Sequence, residues 1–451
     1  MPQRVDRTHA IACGARASAG GGPWRGALAG RPPPDGEPLR EVVPLPVVRA
    51  SVNRRRVLVA SAARNFAYGL VSVEIGLVWR ARGLSPATVG SLFALTLLAG
   101  GGSSALAGLW AHRIGRRQLL VFLGAAMAAG GVVLALTVRP VWLCLAAAAG
   151  SFSPTGKDVG GMLPIDQAVL AQTVRGERRT EAYAHYNLLA SAAGAAGSLA
   201  AGGIPLLARW GLGPAAAERA ALLVYAALGA AVAATYAGLT SEAEVPPQII
   251  RTTPARSGLH RSRGIVLRLT ALFGVDALAG GLVVQGIVAV WLHDRFGAGL
   301  AFLGPLFFLT NLAAAASFLA AAPLARRFGL LNTMVFTHLP SNVLLLLVAF
   351  APSLPLAAGL LVARSLLSQL DVPTRQAYTM ELVRPEERAA AAGVTASVRG
   401  LASAVSPSIA GWAMARAAAG LPFLLAGTLK AGYDLALYAV FRRVPRPEIR
   451  P

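Results

Sequence analysis

Gly90-Ser-Leu-Phe-Ala-Leu-Thr-Leu-Leu98 returns later in the chain as Gly304-Pro-Leu-Phe-Phe-Leu-Thr-Asn-Leu312. At the same offset, Ala111-His-Arg-Ile-Gly115 returns as Ala325-Arg-Arg-Phe-Gly329. Further on, Val174-Arg-Gly-Glu-Arg-Arg179 mirrors Val383-Arg-Pro-Glu-Glu-Arg388. In register with that pair, Gln167-Ala168 matches Gln376-Ala377, and Gly202 matches Gly411. Apolar runs match readily by chance, whereas loop charges and glycines do not. The chain is therefore read as an internal duplication. One copy spans Val57 to Leu239 and the other Leu269 to Phe441. Thr240 to Arg268 forms a polar, basic linker containing Pro246, Pro247 and Pro254.

Each copy contains six apolar segments. They are Val57 to Trp79, Ala87 to Ala111, Gln118 to Thr137, Val141 to Pro164, Tyr183 to Leu207 and Ala220 to Leu239 in the first. The second holds Leu269 to Leu292, Phe302 to Ala322, Leu331 to Phe350, Leu354 to Tyr378, Ala390 to Ala415 and Leu421 to Phe441. A bilayer core about 30 Å thick needs roughly 20 apolar residues per helix, and these segments have that length. In lipid every backbone polar group must be paired within its own segment, so helices follow, and no short alternating strands are visible. Only 14% of residues are charged and 55% are hydrophobic, against roughly 25% charged in soluble domains. A water-facing surface cannot be built from so few charges. The expected fold is all-α and membrane-integral, with twelve transmembrane helices in two six-helix pseudo-repeats.

A formal charge of +22 suggests nucleic acid until its placement is followed. Basic residues gather in the N-terminal tail, at Arg113, Arg116 and Arg117, at Arg175, Arg178 and Arg179, across Arg251 to Arg268, at Arg326 and Arg327, and at Arg442, Arg443 and Arg446. In a chain that weaves twelve times, all of these lie on one side. This is the positive-inside pattern, which places both termini in the cytoplasm of a bacterial inner membrane and excludes nucleic acid as the partner. Cys13 and Cys144 are the only cysteines, and the six histidines are scattered, so neither a disulfide framework nor a metal or cofactor site is expected. Met1 to Arg56 is rich in Arg, Pro and Gly without an apolar signal core, and is expected to be disordered.

The loop after the second helix reads Gly108-Leu-Trp-Ala-His112-Arg113-Ile-Gly115-Arg116-Arg117. It resembles the G-x-x-x-D-R-x-G-R-R loop of major facilitator transporters at every defined position but one. The departure is His112, where the family's Asp is implied to lock one conformational state. Two parallel six-helix copies joined by a linker are also that family's plan. The resemblance covers about nine-tenths of the chain and extends loosely to drug/proton antiporters through the glycine-rich stretch Gly194 to Gly203. It implies a monomeric transporter of a small organic solute working by alternating access, with helices one, four, seven and ten lining a central cavity.

Charges inside membrane helices cost roughly 2.5–3.5 kcal/mol each on insertion scales, so each is a candidate for function. The first helix carries Arg64, Asn65 and Glu74; the fourth carries Lys157 and Asp158. The seventh carries Asp276 and Gln285, and the tenth Arg364, Gln369, Asp371 and Arg375. Glu74, Asp276, Asp158 and Asp371 are candidate proton carriers, with Glu74 and Asp276 favoured because no opposite charge lies one turn away. Arg64, Asn65, Lys157, Gln285, Arg364 and Gln369 are candidates for lining a substrate cavity. Lys430 and Asp434, spaced i and i+4 on the twelfth helix, are read as a structural ion pair. Lys157 and Lys430 are the chain's only lysines, and lysine is the cation that titrates when desolvated. Pro154, Gly156, Gly160, Gly161 and Pro164 are expected to break the fourth helix and Pro373 the tenth.

The leading reading is a proton-coupled exporter. A uniporter, a lipid flippase or receptor on the same fold, and a membrane-embedded enzyme are the alternatives; the loops are too short and basic for an enzyme's catalytic face. The charge pattern predicts that a reporter active only in the cytoplasm will be active when inserted within Thr240–Arg268. The same reporter placed in the Arg209–Arg219 loop should be silent.

Overall fold

The computed structural model describes residues 47–174, 179–244, 262–383, 387–416 and 420–443, and its described residues contain helices and no strands. In chain order the helices are α1 (Val47–Ala81), α2 (Pro86–Ile114), α3 (Arg116–Leu136), α4 (Pro140–Ala148), α5 (Met162–Gln172), α6 (Arg179–Arg209) and α7 (Pro214–Ala237). After a short 3-10 turn at Ser241–Ala243 come α8 (Arg263–Gly281), α9 (Gln285–Phe296), α10 (Leu300–Phe328), α11 (Leu330–Ala349), α12 (Leu354–Ser365), α13 (Asp371–Leu382), α14 (Arg388–Ala415) and α15 (Leu421–Phe441). Three pairs of short helices, α4–α5, α8–α9 and α12–α13, are single passes broken in the middle. Counted so, the described residues hold twelve helical segments, consistent with the twelve passes expected.

Local sequence sets the helix ends. Ser85 caps α2 by accepting the Thr88 N–H, and Pro86 follows at the first helical position, where its missing N–H costs nothing. Pro140, Pro214, Pro355 and Pro422 begin α4, α7, α12 and α15 in the same way. The duplicated loop ends at Gly115 and Gly329, with φ of 99° and 84°. Each is the single residue that turns one helix into the next, in a backbone conformation that side chains resist. That is why those glycines recur in the repeat.

Two expectations about breaks shift. Pro164 and Pro373 do not break their helices; each stands in the first turn of the following one, α5 and α13, where an intrahelical donor is not required. The fourth pass breaks at 149–161, where Pro154, Gly156, Gly160 and Gly161 were expected to break it, with Gly150 and Gly156 at positive φ. The tenth breaks just before Pro373, at 366–370. A third break, 282–284, has no proline. At the chain's start, α1 begins at Val47, ten residues before the apolar core, and Asn53 bonds both the Thr240 hydroxyl and its N–H. Helix is therefore present where the tail was expected to continue to Arg56; residues 1–46 lie outside the described residues.

Among the described residues, eight spans are long and apolar enough to cross a membrane by themselves. Their outer faces carry Phe122, Leu136, Leu319, Phe336 and Leu435, all more than half exposed. Water would penalise each by a kcal/mol or more at about 25 cal/mol per Å²; lipid does not.

Packing repeats with the sequence. Within the first six passes α1 lies against α6 and α3 against α7; within the last six, α8 lies against α14 and α11 against α15. The two sets meet along α2–α14 and α6–α10. The repeated glycines make those meetings. A Cβ on Gly90 would lie 2.2 Å from the Pro407 carbonyl oxygen and 2.9 Å from the Gly411 Cα; one on Gly304 would lie 2.4 Å from the Gly202 nitrogen. Gly90 therefore lies on Gly411 and Gly304 on Gly202, so each contact joins one glycine from each copy, backbone on backbone. Both contacts lie at one end of the molecule, together with an Arg80–Asp294 ion pair at 3.1 Å. That end is closed.

Gly411→Val is expected to lower stability by roughly 1–3 kcal/mol through overpacking. Thermal unfolding in detergent measures this, and hydrogen exchange through 86–90 and 407–411 should rise. Gly203→Ala, which meets open space, should change stability by no more than about 1 kcal/mol.

Candidate functional site

A cavity of about 190 Å³, continuous with the surroundings, lies between the two sets of six. Its lining includes Asn65 of α1, Lys157 and Asp158 of the α4–α5 break, Gln167 of α5, Tyr186 and Asn187 of α6, and Asn311 of α10. Alanines 190, 195, 314 and 315 complete a wall of small side chains. Over it lies a polar crosspiece. Gln285, the first residue of α9, donates to the Ser72 and Ser198 hydroxyls at 2.9 and 3.1 Å and accepts from Asn311 at 3.3 Å. Beside it the Gly286 N–H donates to the Pro154 carbonyl at 2.9 Å. Two broken helices from different repeats therefore meet, and their freed backbone groups satisfy one another.

Arg64 is fully buried in the first repeat. Its guanidinium donates to Asp166 at 2.8 Å and to the Tyr236 hydroxyl at 2.5 Å, and pairs with Asp158 at 2.7 Å. The Tyr236 and Tyr186 hydroxyls donate onward to Asp166 at 2.8 and 3.1 Å. Asp158 also accepts the Gly160 N–H, and its own N–H reaches Asn65. Desolvated charges persist only when paired and hydrogen-bonded this completely.

The second repeat holds a counterpart. Asp276 on α8 meets Lys430 at 2.5 Å, Arg399 at 3.0 Å and Arg375 at 3.3 Å, and Arg375 also pairs with Asp371 at 2.6 Å. The expected isolation of Asp276 does not hold: neighbours in space supply three cations that neighbours in sequence do not. Nor do Lys430 and Asp434 pair with each other. Lys430 turns to Asp276, while Asp434 accepts from Asn342 at 2.8 Å and lies 2.9 Å from His338 Nδ1. Side chains one turn apart on one helix can still reach different neighbouring helices.

Among the described residues, Glu74 is without a hydrogen-bonding or ionic partner in space, as along its own helix. It is fully buried, and neither carboxylate oxygen has a hydrogen-bond partner. It lies two residues past Ser72 toward the closed end. Arg364 is half-buried with an unpaired Nε, and Gln369 stands in the 366–370 break; neither lines the cavity. In the duplicated loop, Glu244 accepts the Arg116 and Arg117 N–H groups at 2.6 and 3.0 Å, capping α3 with negative charge. Arg116 reaches the Ala243 carbonyl and Arg113 stacks over Trp110. The Gly108 and His112 side chains lie outside the described residues.

Asp166, Tyr186, Tyr236, His338 and Asn342 were not singled out in the sequence. Asp166 had a signal. The register that matches Gln167 to Gln376 also matches Asp166 to Arg375. Arg64 with Asp166 on passes one and four is thus answered by Asp276 with Arg375 on passes seven and ten, with the signs exchanged.

The family model described as the Major Facilitator Superfamily matches residues 57–407. An uncharacterised membrane protein of Saccharomyces cerevisiae is 25% identical over 409 residues, covering 84% of this chain and 91% of its own. Among solved structures, a bacterial homolog of the human lysosomal transporter Spinster, inward-facing and unoccupied, matches with a TM-score of 0.66 at 15% identity. It covers 88% of this chain and 99% of its own. The nucleoside transporter NupG matches with a TM-score of 0.67 at 12% identity over 89% of this chain and 100% of its own. These structures share the fold.

Arg64→Gln leaves two buried carboxylates without their cation and is expected to cost about 3–5 kcal/mol in thermal unfolding. Adding Asp166→Asn should recover part of that loss. Lys430→Met should cost less, because Arg375 and Arg399 remain on Asp276.

Proposed function

The chain belongs to the major facilitator superfamily, and from that membership we propose that it is a proton-coupled secondary transporter of a small organic solute. The observation that carries this reading is a polar cavity between the two copies, which also touch at one end of the molecule through two symmetric glycine contacts. Separating those contacts while the opposite end closes would expose the same cavity to the other side of the membrane. The two copies, 57–239 and 269–441, are the bodies that rock, each held together by its own buried ion cluster. The positive-inside pattern supports a cytoplasmic placement of both termini, and of the end opposite the glycine contacts, in a bacterial inner membrane.

Glu74 is the proposed proton carrier. An anion buried without hydrogen bonds costs several kcal/mol, so the neutral acid fits that position and the charged form requires water to reach it. Opening the sealed end would admit that water. Asp276 fits the role less well, because three cations already match its charge. Asp158 and Asp371 are each paired as well. The glycine-rich stretch that suggests export is used in packing. Gly194 and Gly197 press on α1, where a Cβ on Gly197 would come 1.9 Å from the Phe66 oxygen. Export is retained as the proposed direction, and transport itself reads it.

The test is proton movement in reconstituted vesicles across a panel of organic ions, wild type against Glu74→Gln. Solute-dependent proton flux is expected, falling at least about tenfold in the variant, which corresponds to roughly 1.4 kcal/mol. Solute movement without proton movement in the wild type would identify a uniporter. Unchanged coupling in Glu74→Gln would transfer the proton role to Asp158 or Asp371.

A further inference from the structure

Resting on the transporter reading, we propose that the solute is a small aliphatic monoanion whose acid group binds the amine of Lys157. Lys157 is exposed into the cavity on the α4–α5 break. Its backbone is tied down: the carbonyl accepts the Ser153 and Thr155 hydroxyls, and the N–H reaches Thr155. Among the described residues, no hydrogen bond or ion pair engages its Nζ. The residue is held rigidly while its cation faces the space a solute would fill.

The neighbouring charges are already committed. Arg64 is enclosed by Asp158, Asp166 and two tyrosine hydroxyls, and has no exposure. Asp158, adjacent in sequence, turns to Arg64 and to the Gly160 N–H. The chain's only other lysine, Lys430, is bonded to Asp276. Arg64 is shared between Asp158 and Asp166, and Lys157 is the one of these four charges without a partner among the described residues, so the site suits one negative charge rather than several. Around Lys157 the wall offers side-chain amides, Asn65, Gln167, Asn187 and Asn311, between alanines, with neither Phe nor Trp. Such a wall hydrogen-bonds hydroxyl or amide groups on a short aliphatic chain, and its one aromatic residue, Tyr186, is buried with its hydroxyl on Asp166.

Because the chain has two lysines, the test can be chemical. Reductive methylation of the full-length protein in detergent with formaldehyde and cyanoborohydride, read by peptide mass spectrometry, should modify Lys157 much faster than the ion-paired Lys430. Gluconate, lactate and N-acetylglycinate should slow modification at Lys157. Their neutral counterparts sorbitol, propane-1,2-diol and N-acetylglycinamide should not. Lys157→Met should fold as the wild type does and weaken binding of the protecting anion, measured by calorimetry, by about tenfold or more. Lys157→Arg should retain binding. Protection by none of the three anions beyond its neutral counterpart, or anion binding unchanged in Lys157→Met, would overturn the proposal. If Lys157→Met does not fold, the protection comparison on wild-type protein decides alone. Anion protection without solute flux in vesicles would keep the site and sink the transporter reading. Flux confined to neutral or cationic solutes would do the reverse.

Discussion

Where the two sets of six meet, backbone lies directly on backbone, Gly90 on Gly411 and Gly304 on Gly202, and the rest of the arrangement depends on that approach. With no side chain between them, α2 meets α14 and α6 meets α10 closely enough to seal one end. In lipid there is no hydrophobic drive to press helices together, so close packing of small residues supplies the adhesion. Dispersion contacts of this kind are short-ranged and carry no charge or directional bond. They can separate and re-form without stranding a polar group, as an interface that must open requires.

Inside each set of six the opposite principle operates. Arg64 with Asp158 and Asp166, and Asp276 with Lys430, Arg399 and Arg375, are charge clusters in a medium where an unpaired charge is expensive. Each cluster draws its members from several passes. Pulling any one pass away would uncover a charge, so the clusters hold the passes of one set in register. Glycine contacts and the Arg80–Asp294 ion pair join the sets at a seam, while buried charge clusters hold each set together. The crosspiece at Gln285 spans that seam with neutral hydrogen bonds, intermediate in strength between the two.

The cavity's charges follow from the same economy. Arg64 is consumed by its carboxylates and Lys157 is not, although both are cations on passes that line the centre. From the sequence alone they were equivalent candidates. The difference arises because the 149–161 break turns Asp158 toward α1 and leaves Lys157 facing the opening. Similarly, Lys430 and Asp434 look like partners at i and i+4, yet each finds a better one on another helix. Side-chain pairing along one helix is worth only about 0.2–0.5 kcal/mol, which a buried cross-helix contact readily exceeds.

Much was legible before any coordinates. Composition and segment length determined that the chain lives in lipid, because so few charges cannot cover a water-facing surface. The repeat determined the two sets of six. Its glycines recur because Gly115 and Gly329 need positive φ, and because Gly90, Gly202, Gly304 and Gly411 permit backbone contact. Glu74 was recognisable as unpaired, and remains so, because its surroundings are as apolar in space as in sequence. Tertiary structure alone decided which charges meet, where the passes break, and which cation is left to face the cavity. Those outcomes depend on helices far apart in the chain. Electrostatic pairing acts over a few ångströms of space, and the order of residues along a helix does not say what stands opposite.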